Sequence, residues 1–121
     1  EMRNNGFGRI IHISSVNGQK GQFGQTNYAA TKSALIGFSK SLALECASKG
    51  ITSNVIAPGY INTEMVAAIR EDILNKIVDT IPTKRLGKSE EIAEMVLYLV
   101  SNKASYINGA TLSINGGLWM D

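Results

Sequence analysis

The stretch whose reading decides the fold runs from residue 9 to residue 58: RIIHIS at 9–14, the loop SVNGQKGQFGQ at 15–25, TNYAATKSALIGFSKSLALECASK at 26–49, then Gly50 and ITSNVIAP at 51–58. Arg9 to Ser14 is a short, β-branched apolar run between Gly8 and a polar loop, the pattern of a buried strand. From Thr26 to about Lys49, apolar residues recur at helical spacing (Leu35, Phe38, Leu42, Cys46), and Gly50 supplies the stop. A second face of this helix carries only small residues, Ala30, Ala34, Gly37 and Ser41, which permits another helix to approach closely. Thr52 to Ala57 reads as a second strand, ended by Pro58-Gly59. Strand, helix and strand joined by short links predict a parallel α/β sheet.

Working outward, Gly18, Gly21 and Gly24 predict an irregular loop over 15–25. A further amphipathic helix is expected over Glu64–Thr80, with Met65, Ile69, Ile73 and Ile77 on one stripe. Another is expected from Ser89 to about Val100, with Ser89 as N-cap and Glu90 and Glu91 suiting the positive end of the helix dipole. Thr111–Ile114 is a last short strand. Three strands make a thin sheet for a free-standing α/β domain. Residues 1–8, EMRNNGFG, read like the end of a helix stopped at Gly6 or Gly8, so the chain is expected to be part of a longer one. His12, Cys46, Met65 and Met95 are expected to be core residues, His12 packed or hydrogen-bonded in its strand.

The bulk properties exclude more than they select. The 121 residues suffice for one modest domain; 44% are hydrophobic and 18% charged, the profile of a globular protein. A net charge of +2 with no basic run gives no electrostatic case for nucleic acid. No apolar run approaches the ~18–20 residues of a membrane span, and a single cysteine fits a reducing compartment, so a cytoplasmic location is the expectation. No metal-ligand spacing is present, and the loop glycines are no phosphate cradle, because no Gly-Lys-Ser/Thr follows them.

Chemistry is concentrated around the first strand and the long helix. Tyr28 and Lys32 are four residues apart and leave the same helix face. Ser15 stands at the C-terminal end of a strand, where open α/β sheets bind ligands. Reducing a carbonyl requires a hydride donor and an acid that protonates the alkoxide. A free tyrosine has a pKa of ~10, and a neighbouring ammonium favours its phenolate. A serine hydroxyl can hold the carbonyl oxygen beside the phenol.

With its flanking motifs this arrangement resembles the short-chain dehydrogenase/reductase family over nearly the whole chain. The matching stretches are ISSVNG (13–18), NYAATKSAL (27–35), NVIAPGYINTEM (54–65) and INGATLSINGG (107–117). The resemblance implies the C-terminal half of a Rossmann-type doubly wound parallel sheet, an α/β fold, with residues 1–121 forming the catalytic half of a single domain. It implies a catalytic trio in which Ser15 stabilises the substrate oxygen and Tyr28 is the acid in reduction and the base in oxidation. Lys32 then favours the phenolate and binds the nicotinamide ribose. Pro58, Gly59, Ile61 and Thr63 match the segment that wraps the nicotinamide and bonds its carboxamide.

Residues 16–28 and 58–65 look most like the branch that reduces 3-oxoacyl thioesters. That branch comprises the acetoacetyl-CoA reductases of polyhydroxybutyrate synthesis and their neighbours, the 3-oxoacyl-acyl-carrier-protein reductases of fatty-acid synthesis. It implies NADPH as cofactor, with NADH left open, an acyl thioester as substrate, and a homotetramer. Gln22, Phe23, Gln25 and Tyr60 flank the trio and are candidates to line the acyl pocket, each weighed against facing water. A sugar alcohol, diol or hydroxysteroid as substrate, and a self-associating module without catalysis, are the competing readings. Ser53 departs from the aliphatic residue usual at its position. The family's Gly-rich fingerprint, its Asn-Asn-Ala-Gly segment and a fourth catalytic asparagine are not among these residues, so the 121 residues alone are expected to be inactive and to associate through the small-residue face and the last strand.

Overall fold

The computed structural model describes all 121 residues. Helix α1 (Met2–Asn5) ends on Gly6 in the left-handed region and leads into strand β1 (Gly8–Ile13). Helix α2 (Val16–Lys20) and the long α3 (Thr26–Cys46) follow, and α3 closes through a 3₁₀ turn, Ala47–Lys49, capped by left-handed Gly50. Strand β2 (Ile51–Pro58), helices α4 (Glu64–Ala67), α5 (Glu71–Thr80) and α6 (Ser89–Val100), and strand β3 (Thr111–Ile114) complete the chain.

The strands form one parallel sheet in the order β1-β2-β3. Ile13 pairs with Ile56 in β2, and Pro58 pairs with Ile114 in β3, so the C-terminal ends of all three strands lie on one side. Alternation along the strands sends side chains to two layers. On one, Ile56, Leu99 of α6 and Ala104 are fully buried, with Ile11, Ile92, Met95, Val96 and Leu112 packed around them. On the other, α3 lays Ser39, Ala43 and Cys46 against β2.

Central β2 is buried from Ile51 to Ala57, although Thr52, Ser53 and Asn54 are polar. For Ser53 and Asn54, burial is tolerable because each side chain finds a partner. The Ser53 and Ser39 hydroxyls bond each other at 2.9 Å. The Asn54 amide donates to the Ile107 carbonyl at 2.9 Å and accepts from the Ala110 N–H at 3.0 Å. Asn108 accepts from the Ser53 N–H and donates to the Ala43 carbonyl. These amides staple residues 107–110 to β2 and α3, and so set where β3 starts. Ser53 is thus matched by Ser39 across the layer.

Several expectations are corrected. The glycine-rich stretch is not wholly irregular: Ser15 caps α2, accepting from the Asn17 N–H at 3.1 Å, and α2 buries Val16 against the sheet. The single helix expected over 64–80 is two, because Glu71 and Asp72 belong in the first turn of a helix, and Arg70 bridges to Asp72 in an extended conformation. Met65 is consequently in solvent at 84% exposure rather than in the core. Ser89 is the first helical residue of α6; the cap position is Lys88, whose N–H donates to the Glu91 carboxylate at 3.0 Å. Phe38 is mostly exposed and meets His12 edge-on at 5.4 Å, while Ala43 takes the buried place on the α3 stripe. His12 is packed but its Nε2 has no hydrogen-bond partner.

Candidate active site

The C-terminal end of β1 and the first turns of α3 are tied together by an exchange of hydrogen bonds. The Ser14 hydroxyl, buried, donates to the Lys32 carbonyl at 2.7 Å. The Lys32 ammonium donates to the Ile13 carbonyl at 3.0 Å. Gly18 presses against the same residue: a methyl there would lie 2.7 Å from Lys32 Cβ. Ser15 sits between these ties and the Asn17–Gln25 side-chain bond of 2.9 Å, which holds α2 to the start of α3. One turn before Lys32, the half-exposed Tyr28 ring lies under the ammonium, with Nζ 5.7 Å from its centroid. A hydroxyl, a phenol and an ammonium therefore stand on a rigid framework at the end of the sheet where parallel strands present their ligand sites.

The segment after β2 forms a second wall. The Gly59 N–H donates to the Ile114 carbonyl at 2.9 Å, and a Cβ on Gly59 would meet Asn115 at 2.8 Å, so only glycine lets the two chains approach so closely. Ile61 bridges to Gly87 through the Asn62 N–H to the Gly87 carbonyl and the Gly87 N–H to the Tyr60 carbonyl. That leaves the Ile61 N–H with no protein acceptor. Thr63 caps α4, its hydroxyl oxygen accepting from the Val66 N–H at 3.4 Å.

Residues the sequence did not single out hold this wall in place. Arg85 makes a two-point pair with Glu91, at 2.7 and 3.0 Å. The guanidinium first, and then the Lys88 N–H, hold the Glu91 carboxyl down at about 2. This pair anchors residues 85–88 to the start of α6, and Gly87 carries the anchorage to Ile61. A small cavity of about 130 Å³ lies between them, bounded by Tyr60, Ile61, Arg85, Glu91 and Asn115. Glu91 was visible as a first-turn acid; its partner six residues upstream carries no helical-spacing signal.

A wider groove, about 370 Å³, brings Gln22 and Tyr60 together with Lys20, Lys76, Ile73, Ile77 and Leu118. Lys20 Nζ donates to Gln22 at 3.0 Å. Phe23 does not reach this groove. The left-handed Gly24 and positive-φ Gly21 turn the loop outward and leave its ring wholly in solvent. Gln25 does not line it either, being occupied with Asn17.

A family model described as enoyl-(acyl carrier protein) reductase matches residues 1–119. The chain belongs to the short-chain dehydrogenase/reductase family. Among curated members of that family, it is 61% identical over 118 residues to nodulation protein G of Azospirillum brasilense, covering 98% of this chain and 48% of that protein. It is 58% identical over 119 residues to an acetoacetyl-CoA reductase of Cupriavidus necator, again 98% and 48%. It is 56% identical over 113 residues to a 3-oxoacyl-acyl-carrier-protein reductase of Salmonella typhimurium, covering 93% and 46%. The chain thus spans about half the length of the curated relatives it matches. The names attached to these matches span reduction of C=C and of C=O, so the match carries the family and not the reaction. No helix of the short-chain dehydrogenase/reductase chain is long and apolar enough to cross a membrane.

Proposed function

We propose that the whole protein carrying these residues reduces the 3-oxo group of an acyl thioester, acetoacetyl-CoA foremost, to the (R)-3-hydroxyacyl thioester with NADPH. Residues 1–121 then form the catalytic half of one dinucleotide-binding domain. The observation that carries this reading is the Lys32 ammonium above the Tyr28 ring, pinned to the strand end that bears Ser15. A bound nicotinamide supplies the hydride to the carbonyl carbon. The Ser15 O–H donates to the carbonyl oxygen and orients it. The Tyr28 O–H gives its proton to the oxygen as negative charge develops there, and the resulting phenolate regains a proton from solvent. Lys32 holds its ammonium over the ring of the phenol that gives up this proton.

The wall at 58–63 fits one end of the cofactor. The free Ile61 N–H is a donor suited to a carboxamide oxygen, and the Thr63 hydroxyl, used only as an acceptor in its cap, keeps its hydrogen to donate. Pro58 and Gly59 hold this backbone against Asn115. Nothing in these residues forms a glycine-lined pyrophosphate site, so the 121 residues alone do not turn over.

The acyl thioester is favoured over a sugar, diol or steroid by the groove that brings Gln22 and Tyr60 together. Ile73, Ile77 and Leu118 offer an apolar floor, while Lys20 and Lys76 add two positive charges suited to an anionic carrier. Gln22 and Tyr60 supply polar contacts between floor and rim. The two relatives named as acetoacetyl-CoA and 3-oxoacyl-acyl-carrier-protein reductases support the same class. The test is NADPH oxidation by the whole protein against acetoacetyl-CoA, acetoacetyl-acyl carrier protein, and a panel of diols, sugar alcohols and hydroxysteroids run in reverse. Turnover of the thioesters at least about tenfold above the panel is expected; preference for any panel member overturns the substrate class.

A further inference from the structure

We infer that Ser14 and Gly18 are positioning residues for Lys32: together they form a clamp that fixes where the Tyr28–Lys32 face of α3 stands relative to Ser15. The inference rests on the catalytic reading proposed above and adds to it two residues that touch neither substrate nor cofactor.

The geometry is unusual in its reciprocity. Residue 32 is held at both of its ends by two consecutive residues of the β1 terminus. Its carbonyl accepts from the Ser14 hydroxyl at 2.7 Å, and its side-chain ammonium donates to the Ile13 carbonyl at 3.0 Å. A carbonyl oxygen has two lone pairs, so accepting from Ser14 need not cost α3 its own ladder. Ser14 is almost fully buried, and its hydroxyl spans eighteen residues of sequence to reach this acceptor. A lysine side chain has four rotatable methylene links, and anchoring only the ammonium leaves the backbone beneath it free to slide. Anchoring both sets the height of the ammonium above the Tyr28 ring.

Gly18 closes the clamp from the other side. It lies inside α2 with no left-handed conformation to explain the glycine. What explains it is contact: a Cβ there would come 2.7 Å from Lys32 Cβ, 2.9 Å from the Lys32 carbonyl carbon and 3.0 Å from Ser14 Oγ. Any side chain at position 18 pushes on both partners of the 2.7 Å bond at once. Ser15 caps the same short helix, so the clamp ties the serine hydroxyl and the lysine to a common frame.

Displacing a reacting group by about 1 Å can cost on the order of 100-fold in rate. Ser14→Ala and Gly18→Ala in the whole protein are therefore each expected to lower kcat with acetoacetyl-CoA by about 10- to 100-fold, with KM altered less than about threefold. Ser14→Cys, which keeps the size and a weak donor, is expected to recover part of the loss. Unchanged kcat in both alanine variants overturns the clamp. So does a loss of activity that tracks a fall in melting temperature, or that raises KM as much as it lowers kcat, since that marks a merely structural serine. A whole protein inactive on every carbonyl sinks the proposed function instead. The clamp is then read from crystal structures of the whole protein and its Ser14→Ala and Gly18→Ala variants. A Lys32 ammonium that keeps its 3.0 Å bond to the Ile13 carbonyl in both variants overturns the clamp; one that leaves it supports it.

Discussion

The Lys32 ammonium donates to the Ile13 carbonyl at 3.0 Å while lying 5.7 Å from the centre of the Tyr28 ring. One side chain thus couples the strand end that presents Ser15 to the phenol one helical turn away. Removing the charge should therefore affect chemistry more than binding of the acyl chain. Lys32→Met in the whole protein is expected to lower kcat for acetoacetyl-CoA by on the order of 100-fold or more. Lys32→Arg is not expected to restore it, because a planar guanidinium cannot take the place of a compact ammonium in this tie. Steady-state kinetics with both variants check this, and full activity of Lys32→Met contradicts it.

The groove between Gln22 and Tyr60 yields a prediction about the thioester carrier. Lys76 faces it without an ion-pair partner, next to the apolar Ile73 and Ile77. Lys76→Glu should raise KM for acetoacetyl-CoA by roughly tenfold, and leave KM for a short uncharged acetoacetyl thioester within about twofold. Equal effects on both substrates would show that the lysine does not meet the anionic carrier.

The buried Ser39–Ser53 pair carries a stability prediction. Ser39→Ala strands the Ser53 hydroxyl in the centre of the sheet, at a cost of about 1–3 kcal/mol. The double variant with Ser53→Ala should cost less than the two single changes added together. Urea unfolding of the three variants measures this coupling, and strict additivity would show that the hydroxyls do not depend on each other.

The Arg85–Glu91 pair sets a pH dependence. Glu91 is depressed to about 2 in the folded chain, against about 4.3 for a free glutamate. Its stabilising contribution is present above about pH 4.3, shrinks as pH falls towards about 2, and is absent below both values. Melting temperatures of the unmodified chain and Glu91→Gln should differ most near neutrality and converge as pH drops through that window. A difference that grows on acidification contradicts the assignment.

The thin sheet also bears on association. Strand β1 has a free edge in this sheet, and the Ala30, Ala34, Gly37 and Ser41 face of α3 is exposed. Light scattering on the 121-residue chain at micromolar concentration is expected to show an oligomer, which Ala34→Glu shifts towards smaller species. A monodisperse monomer contradicts this.

Much of this fold was legible because its signals are local. Gly8, Gly50 and Pro58 punctuate the chain, β-branched runs mark β1 and β2, and the four-residue spacing of Tyr28 and Lys32 puts both on one face. What escaped reading depends on tertiary partners. Gly18 looks like a loop glycine, but its reason is contact with Lys32. Asn54 looks like a poor residue for a buried strand until the Ile107 carbonyl accepts from it and the Ala110 N–H donates to it. Arg85 finds Glu91 across a turn that no helical or strand period encodes. Met65 and Ile73 seemed to share a stripe only because the break at Arg70 is set by the acids that follow it rather than by a glycine or proline.

The most direct test is the acetoacetyl-CoA-dependent oxidation of NADPH by the whole protein and by its Tyr28→Phe variant, which deletes one hydroxyl and keeps the ring. If Tyr28 is the proton donor, kcat falls between about 100- and 10,000-fold while the variant keeps its melting temperature. A variant whose kcat stays within about threefold of the unmodified protein, a difference of about 0.7 kcal/mol in the barrier, would show that the proton comes from elsewhere.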